Sequence, residues 1–170
     1  MIRTIKISII VIICVVLISI SYYLISPAFN DIEKNETFPE YNSTITNQQN
    51  QTRTTPTTIT RQMPSTPTIL IQAEFQAQAH EVQGRALLLQ TQDQKILRFE
   101  DFETINGPEL HIYLSRDLTN NDFIDLGEIK ATKGNVNYEL PPETDTSKYS
   151  NVLVWCKPFG VLFSYAQLQK

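Results

Sequence analysis

Residues 151–156 read Asn151-Val152-Leu153-Val154-Trp155-Cys156, and this stretch decides the fold class. Four apolar residues follow one another without a break, from Val152 to Trp155. A strand with one face in water alternates apolar and polar side chains, whereas an unbroken apolar run is typical of a strand covered on both faces. We therefore predict a central β-strand that is buried on both faces and ends at Cys156.

Other segments on both sides of this stretch are also short apolar runs that end at turn signals. They are Ala86–Gln90, Ile96–Phe102, Leu110–Ser115, Ile124–Ile129, Val136–Leu140 and Val161–Tyr165. The turn signals include Asn106-Gly107-Pro108, Lys133-Gly134-Asn135 and Pro141-Pro142. Many short strands with such breaks indicate an all-β domain, an antiparallel β-sandwich or barrel, over residues 68–170.

The N-terminal part of the chain has a different character. Residues 7–25 are apolar except for three serines. As a helix this run would be about 28 Å long, close to the hydrocarbon thickness of a bilayer. Arg3 and Lys6 precede it, so the positive-inside rule places the N-terminus in the cytoplasm and the later residues outside. We predict a transmembrane anchor within residues 1–29 that contacts membrane lipid; a cleaved signal peptide is the alternative, and both readings export the domain.

Residues 30–67 are rich in Thr, Gln, Asn and Pro and lack strand or helix periodicity. Such a segment buries too little apolar surface to offset its ordering entropy, so we predict a disordered stalk. Three Asn-x-Thr sequons, at Asn35, Asn42 and Asn50, are candidates for N-glycosylation in an exported chain. The Thr and Pro bias is also typical of O-glycosylated stalks.

Charge excludes one class of partner. Residues 68–170 carry 14 acidic against 9 basic side chains, a net charge of −5. Nucleic-acid binding requires a basic stripe or patch that neutralises phosphates. The domain is therefore predicted not to bind nucleic acid.

Six sequence blocks of the folded part can be compared, in their order and spacing, with those of known domain families. They are Phe75-x4-His80-x3-Gly84, residues 97–102 (LRFEDF), residues 107–115 (GPELHIYLS), residues 134–141 (GNVNYELP), residues 152–159 (VLVWCKPF) and Phe163-Ser164-Tyr165. This order and spacing, over residues 68–170, resembles the DM13 domain family. The resemblance implies a β-sandwich related to DOMON domains and a role in electron transfer. That chemistry is proposed to depend on the cysteine that matches Cys156, either as a free redox thiol or within a prosthetic-group site.

Cys156 is the only cysteine of the domain, because the other one, Cys14, lies in the apolar N-terminal run. In an oxidising exterior a lone thiol usually becomes a disulfide, is buried and inert, or is used in chemistry. Burial in an apolar strand raises the pKa of a thiol and lowers its reactivity, which favours a structural role. The family resemblance favours a redox role, so Cys156 is the candidate redox thiol while the structural alternative stays open.

His80 is the candidate partner of Cys156, because it matches a family position near the first turn. Haem or a transition metal would need a second ligand, and the other candidates are His111 and Met63. A lone histidine in an alternating strand, such as His111, is more often a hydrogen-bonded structural residue, and Met63 lies in the predicted stalk. Two ligands fall short of a closed site, so no metal ligand is assigned, and haem or a metal remains an open alternative for the cofactor.

Two further site classes have weaker sequence signals. The loop Asp117–Asp125 carries oxygen ligands of the calcium type but lacks the glycine and glutamate spacing of an EF-hand. Hydrolase and P-loop motifs are not present in the sequence, so a classical enzyme is not predicted.

The leading hypothesis is a membrane-tethered, extracytoplasmic DM13-like protein with a redox or electron-transfer role at Cys156, acting on a redox or surface protein partner. The alternative is a non-catalytic cell-surface binding module that uses its loops or an edge strand, with Cys156 as a structural residue.

Overall fold

The computed structural model describes residues 2–26, 30–39 and 67–169. Over these residues it has one helix, α1 (Ile2–Ile25), and ten strands. The strands are β1 (Glu33–Asn35), β2 (Thr68–Glu74), β3 (Gln76–Ala77), β4 (Val82–Gln90), β5 (Lys95–Thr104), β6 (Leu110–Ser115), β7 (Phe123–Glu128), β8 (Lys133–Glu139), β9 (Asn151–Cys156) and β10 (Val161–Gln167).

The strands form two five-stranded sheets. Sheet A has the order β1-β8-β5-β4-β2, and sheet B has the order β3-β10-β9-β6-β7. Neighbouring strands are antiparallel, except that β1 runs parallel to β8. Apolar side chains from both sheets meet in one shared core. The predicted all-β, antiparallel sandwich is therefore confirmed in its fold class.

The predicted central strand is β9. It lies between β10 and β6, and all six of its residues are buried. Val152, Val154 and Cys156 face the core between the sheets, whereas Leu153 and Trp155 belong to a smaller apolar cluster on the outer face of sheet B. The prediction of a strand covered on both faces is confirmed, and so are the other six strands predicted from the sequence, which correspond to β4–β8 and β10.

Four aromatic rings fill the middle of the shared core. Phe99 packs against Phe75, Phe102 and Tyr138, with ring centroids 4.9–5.1 Å apart. These residues come from β5, from β8 and from the link between β2 and β3. Fully burying one such aromatic side chain contributes about 1.5–3 kcal/mol. The rings therefore tie three separate parts of the chain into one core.

Helix α1 exposes its apolar side chains, with Ile12 62% and Ile18 69% exposed. The hydroxyl of Ser19 donates to the carbonyl oxygen of Val15 at 2.8 Å, which satisfies a polar group within an apolar helix. The side chains of α1 are described without interruption over residues 9–23. In the described part of the chain, no helix combines the length and the hydropathy that crossing a membrane requires. The predicted transmembrane anchor over residues 7–25 is not confirmed.

The predicted stalk differs from the structure at its start. Residues 33–35 form β1, which pairs with residues 133–135 of β8. The sequence shows no strand pattern there because β1 is fully exposed and is held by hydrogen bonds to distant residues rather than by apolar burial. The disordered segment predicted from residue 30 is therefore corrected for residues 30–39. The rest of that segment, residues 40–66, with Asn42, Asn50 and Met63, lies outside the described residues.

Candidate functional site

A cavity of about 240 Å³ lies at the end of sheet B where β9 ends and β6 and β10 begin. Cys156 and His80, the two site residues predicted from the sequence, both line this cavity. They are far apart in the chain and reach the cavity from different elements. Cys156 is the last residue of β9, and His80 lies in the loop between β3 and β4. We call this space the thiol cavity.

The thiol of Cys156 is buried at the base of this site. The residue is 1% exposed and pairs with Leu110 of β6 and Val161 of β10. Its Sγ–H group donates to the carbonyl oxygen of Pro108 at 3.3 Å. Burial raises the pKa of the Cys156 thiol above its ordinary value of 9.0, outweighing the opposing hydrogen bond from the backbone of Phe159. The group is therefore a protonated thiol at neutral pH, not a thiolate.

The loop that carries Pro108 is fixed by its own hydrogen bonds. The side chain of Asn106 accepts from the backbone N–H of Gly107 at 2.8 Å and donates to the carbonyl oxygen of Asn30 at 2.9 Å. A Cβ atom at Gly107 would lie 2.9 Å from the ring of Phe163, so glycine is required for this close approach. The loop thus holds the acceptor of the Cys156 thiol in a defined place.

His80 is held by the backbone of β10. Three successive N–H groups, of residues 78, 79 and 80, donate to the carbonyl oxygen of Phe163 at 3.0–3.2 Å. The imidazole ring packs on the ring of Phe163, with centroids 4.0 Å apart. His80 therefore faces the thiol cavity from the wall formed by β10.

The rim of the thiol cavity is apolar. Ile105 is 44% exposed and Phe159 is 54% exposed, and both line the cavity. Lys157, the cation nearest to Cys156 in sequence, is exposed and does not line it. A small neutral molecule would therefore enter this site more readily than an ion, because an ion must lose its hydration on the way in.

The other candidate ligands have partners of their own. His111 Nδ1 lies 2.9 Å from the carboxylate of Asp125, as expected of a hydrogen-bonded structural histidine. In the loop of residues 117–125, Asp117 accepts from Thr119, while Asp122 pairs with Lys148 at 3.0 Å. Across residues 2–26, 30–39 and 67–169, no cluster of three or more His, Cys, Asp or Glu side chains is placed to hold a metal ion.

Haem does not fit the thiol cavity as it stands. Pockets that bury drug-sized ligands have volumes of about 300–1,000 Å³, and the thiol cavity, at about 240 Å³, is smaller. The two side chains that would hold the haem iron also have other contacts, Cys156 with the carbonyl of Pro108 and His80 with the ring of Phe163.

One protein-family model matches most of the folded domain. Residues 74–168 match the family described as Electron transfer DM13. This chain belongs to the DM13 family. The matched range contains β3–β10 and both His80 and Cys156, whereas β1 lies outside it. No curated protein and no solved structure matches this DM13 chain.

Three further residues that line the thiol cavity, Ile105, Phe159 and Phe163, were not predicted as site residues from the sequence. Ile105 and Phe159 lie in loops and Phe163 lies in β10, so they come together only in the folded domain. Asn106-Gly107-Pro108 was recognised as a turn, but its contact with the thiol depends on the folded position of β9.

Proposed function

We propose that this DM13 domain transfers electrons by thiol–disulfide exchange at Cys156, with His80 as its proton-transfer partner. The observation that carries the proposal is the thiol cavity itself. Cys156 and His80 line one cavity whose rim residues Ile105 and Phe159 are exposed. The family description, Electron transfer DM13, agrees with a redox role for the domain.

The proposed step balances with one reactant from outside the chain, a disulfide of a partner. Cys156 loses its proton, and its sulfur attacks one sulfur of a disulfide R–S–S–R′. A mixed disulfide Cys156–S–S–R forms, and R′–S⁻ leaves and takes up a proton. His80 accepts the proton from Cys156 and returns one to the leaving sulfur, acting first as a general base and then as a general acid.

Burial of the thiol sets the character of this reaction. The thiolate is the nucleophile in exchange, and a thiol with a raised pKa forms little of it at pH 7. Cys156 is therefore expected to react slowly, and with partners that fit the apolar rim. This selectivity suits an electron-transfer thiol that must avoid indiscriminate oxidation outside the cytoplasm.

The first test uses a small neutral disulfide on the folded full-length protein. In a Cys14→Ser background, hydroxyethyl disulfide is expected to form a mixed disulfide at Cys156 that dithiothreitol reverses, and Cys156→Ser should abolish it. His80→Gln is expected to slow the reaction at least about 100-fold, the lower limit for loss of a proton-transfer group. Mass spectrometry of the intact chain measures both effects.

His111→Gln is the matched control, because His111 is the chain's other histidine and is paired with Asp125 outside the thiol cavity. It should leave the reaction rate at Cys156 unchanged. Equal effects of the two histidine variants would remove His80 from the proposal. A chain that reacts only after unfolding would remove the redox role of Cys156.

A second candidate function is a binding module in which Cys156 is structural. It is favoured by the exposed rim residues Ile105 and Phe159 and by the buried, protonated state of the thiol. Under this alternative, Cys156→Ser retains the in vivo function, whereas Phe159→Ala loses it. The redox proposal instead expects Cys156→Ser to lose the function.

The proposal also places the domain outside the cytoplasm, tethered to a membrane through the apolar run of residues 7–25. Its support is Arg3 and Lys6 ahead of that run and the exposure of its apolar side chains, such as Ile18. After carbonate extraction, the full-length chain is expected to stay in the membrane pellet, while a chain of residues 30–170 should be released. Recovery of the full-length chain in the supernatant would contradict the tether.

A further inference from the structure

Residues 30–38, which we call the strap, lie outside the range matched by the DM13 family yet bind to sheet A. The backbone carbonyl of Ile32 accepts from the N–H of Thr132 at 2.8 Å. At the other end of the strap, the N–H of Glu36 donates to the carbonyl oxygen of Asn135 at 2.8 Å. The strap thus extends sheet A by one parallel strand.

A buried arginine fixes the far end of the strap. Arg98 is 5% exposed, and its Nη1 donates to the carbonyl oxygens of Glu36 and Thr37, both at 3.2 Å. Its guanidinium lies 5.3 Å from the ring centroid of Phe38. Glu36 in turn accepts from the backbone N–H of Asn137 at 2.7 Å. These contacts are polar or charge-assisted and depend on geometry more than on apolar burial.

The strap buries little apolar surface. Residues 33–35 are all exposed, and Ile32 is 40% exposed. Phe38 is partly buried against the outer face of sheet A, next to Leu87 and Leu89. Segments with few apolar contacts and solvent-exposed hydrogen bonds open at lower free energy than the core. The strap is therefore the part of the described domain that is best suited to open while the sandwich stays folded.

One contact joins the strap to the thiol cavity. The carbonyl oxygen of Asn30 accepts from the side chain of Asn106, which lines the cavity and also holds Gly107. Pro108, the next residue, is the acceptor for the Cys156 thiol. Loss of the strap therefore removes the hydrogen-bond acceptor of the Asn106 side chain. Asn106 lies two residues before Pro108, whose carbonyl oxygen accepts from the Cys156 thiol.

The strap also shortens the connection to helix α1. With the strap bound, residues 26–31 separate α1 from Ile32, the first strap residue paired with sheet A. With the strap released, the next paired residue is Thr68 of β2. At about 3.3 Å per extended residue, the maximum reach grows from about 20 Å to about 140 Å.

We propose that residues 30–38 are a releasable strap that holds the wall of the thiol cavity in place and keeps the domain close to α1. Release of the strap loosens the loop of Asn106 and Pro108, exposes the Cys156 thiol and extends the reach of the domain. The proposal concerns access to the thiol and holds whether or not Cys156 is redox-active.

Two variants on the strap side weaken it without changing a residue of β8, β5, β4 or β2. Glu36→Gln removes the carboxylate that binds the backbone of Asn137, and Phe38→Ala removes the ring next to Arg98. The matched controls are Glu139→Gln, an exposed carboxylate at the other end of β8, and Phe123→Ala, a partly exposed ring on sheet B. Hydrogen exchange and thiol labelling are measured on the full-length chain in a Cys14→Ser background.

In the parent chain, the amides of Glu36, Thr132 and Lys133 are expected to exchange at least about 100-fold faster than those of β4 and β5. Both strap variants should speed these three amides further, leave β4 and β5 unchanged and raise the labelling rate of Cys156 at least threefold. The two controls should change neither readout.

Exchange of the three amides at the same rate as β4 and β5 would overturn the proposal, because the strap would then open only with the whole domain. Faster strap exchange with an unchanged labelling rate of Cys156 would overturn the link to the thiol cavity. Faster labelling in the strap variants without mixed-disulfide formation would support the strap and overturn the redox role instead.

Discussion

Replacing Phe99 with alanine is expected to lower the free energy of unfolding by about 3–5 kcal/mol, the usual cost of truncating a buried phenylalanine. Phe99 is 0% exposed, and its ring contacts three other aromatic rings from separate parts of the chain. Truncation leaves a void that the rigid neighbours cannot fill. Since small domains are stable by about 5–15 kcal/mol, this is a large share of the total.

Urea unfolding followed by the fluorescence of Trp155, the single tryptophan, measures this change. Phe159→Ala is the matched control, since its ring is 54% exposed and surface substitutions usually change stability by less than about 0.5 kcal/mol. A decrease of less than about 1 kcal/mol in the free energy of unfolding of Phe99→Ala would show that Phe99 is not tightly packed by the other three rings.

The labelling rate of Cys156 is expected to rise about 100-fold between pH 7 and pH 9, because only the thiolate reacts and its fraction grows tenfold per pH unit below the pKa. Burial raises the pKa of this thiol above its ordinary value of 9.0. The rate should therefore still be rising at pH 9, where an ordinary thiol begins to level off. Labelling with a small maleimide in a Cys14→Ser background gives the profile.

The same shift has a consequence for stability. The folded state holds the Cys156 proton more tightly than the unfolded chain, so this stabilisation is present below the unfolded pKa and is lost as pH rises through the folded pKa. Stability should therefore fall above about pH 9, and Cys156→Ala should remove that part of the decline.

A labelling rate that levels off between pH 7 and pH 8 would indicate an activated thiolate and contradict the burial of the Cys156 thiol.

Most strands of the sandwich could be predicted from the sequence because a buried strand is a short run of apolar residues. Val152–Trp155 is buried on both faces, and its unbroken apolar run shows this. Edge strands carry no such signal. β1 is exposed and polar, β3 has two residues, and most of β2 is exposed, so their pairing depends on distant partners.

The sequence indicated two residues of the candidate site. Cys156 was marked by its position and by the absence of a second cysteine in the domain, and His80 by the family resemblance. Their meeting at one cavity depends on the loops that carry Pro108 and Phe159, which come together only in the folded domain. The hydrogen bond from Asn106 to Asn30 could not be predicted from the sequence either, because Asn30 was assigned to a disordered stalk.

In the proposed function, Cys156 reacts through the thiol cavity of the folded domain. This is tested by the rate of mixed-disulfide formation with hydroxyethyl disulfide, in a Cys14→Ser background, at urea concentrations below the unfolding transition. Reaction in the folded domain predicts a rate that rises far less steeply with urea than the unfolded fraction does, and that Phe159→Ala raises by opening the rim. A rate that rises in proportion to the unfolded fraction, and that Phe159→Ala leaves unchanged, would show that Cys156 reacts only in the unfolded chain.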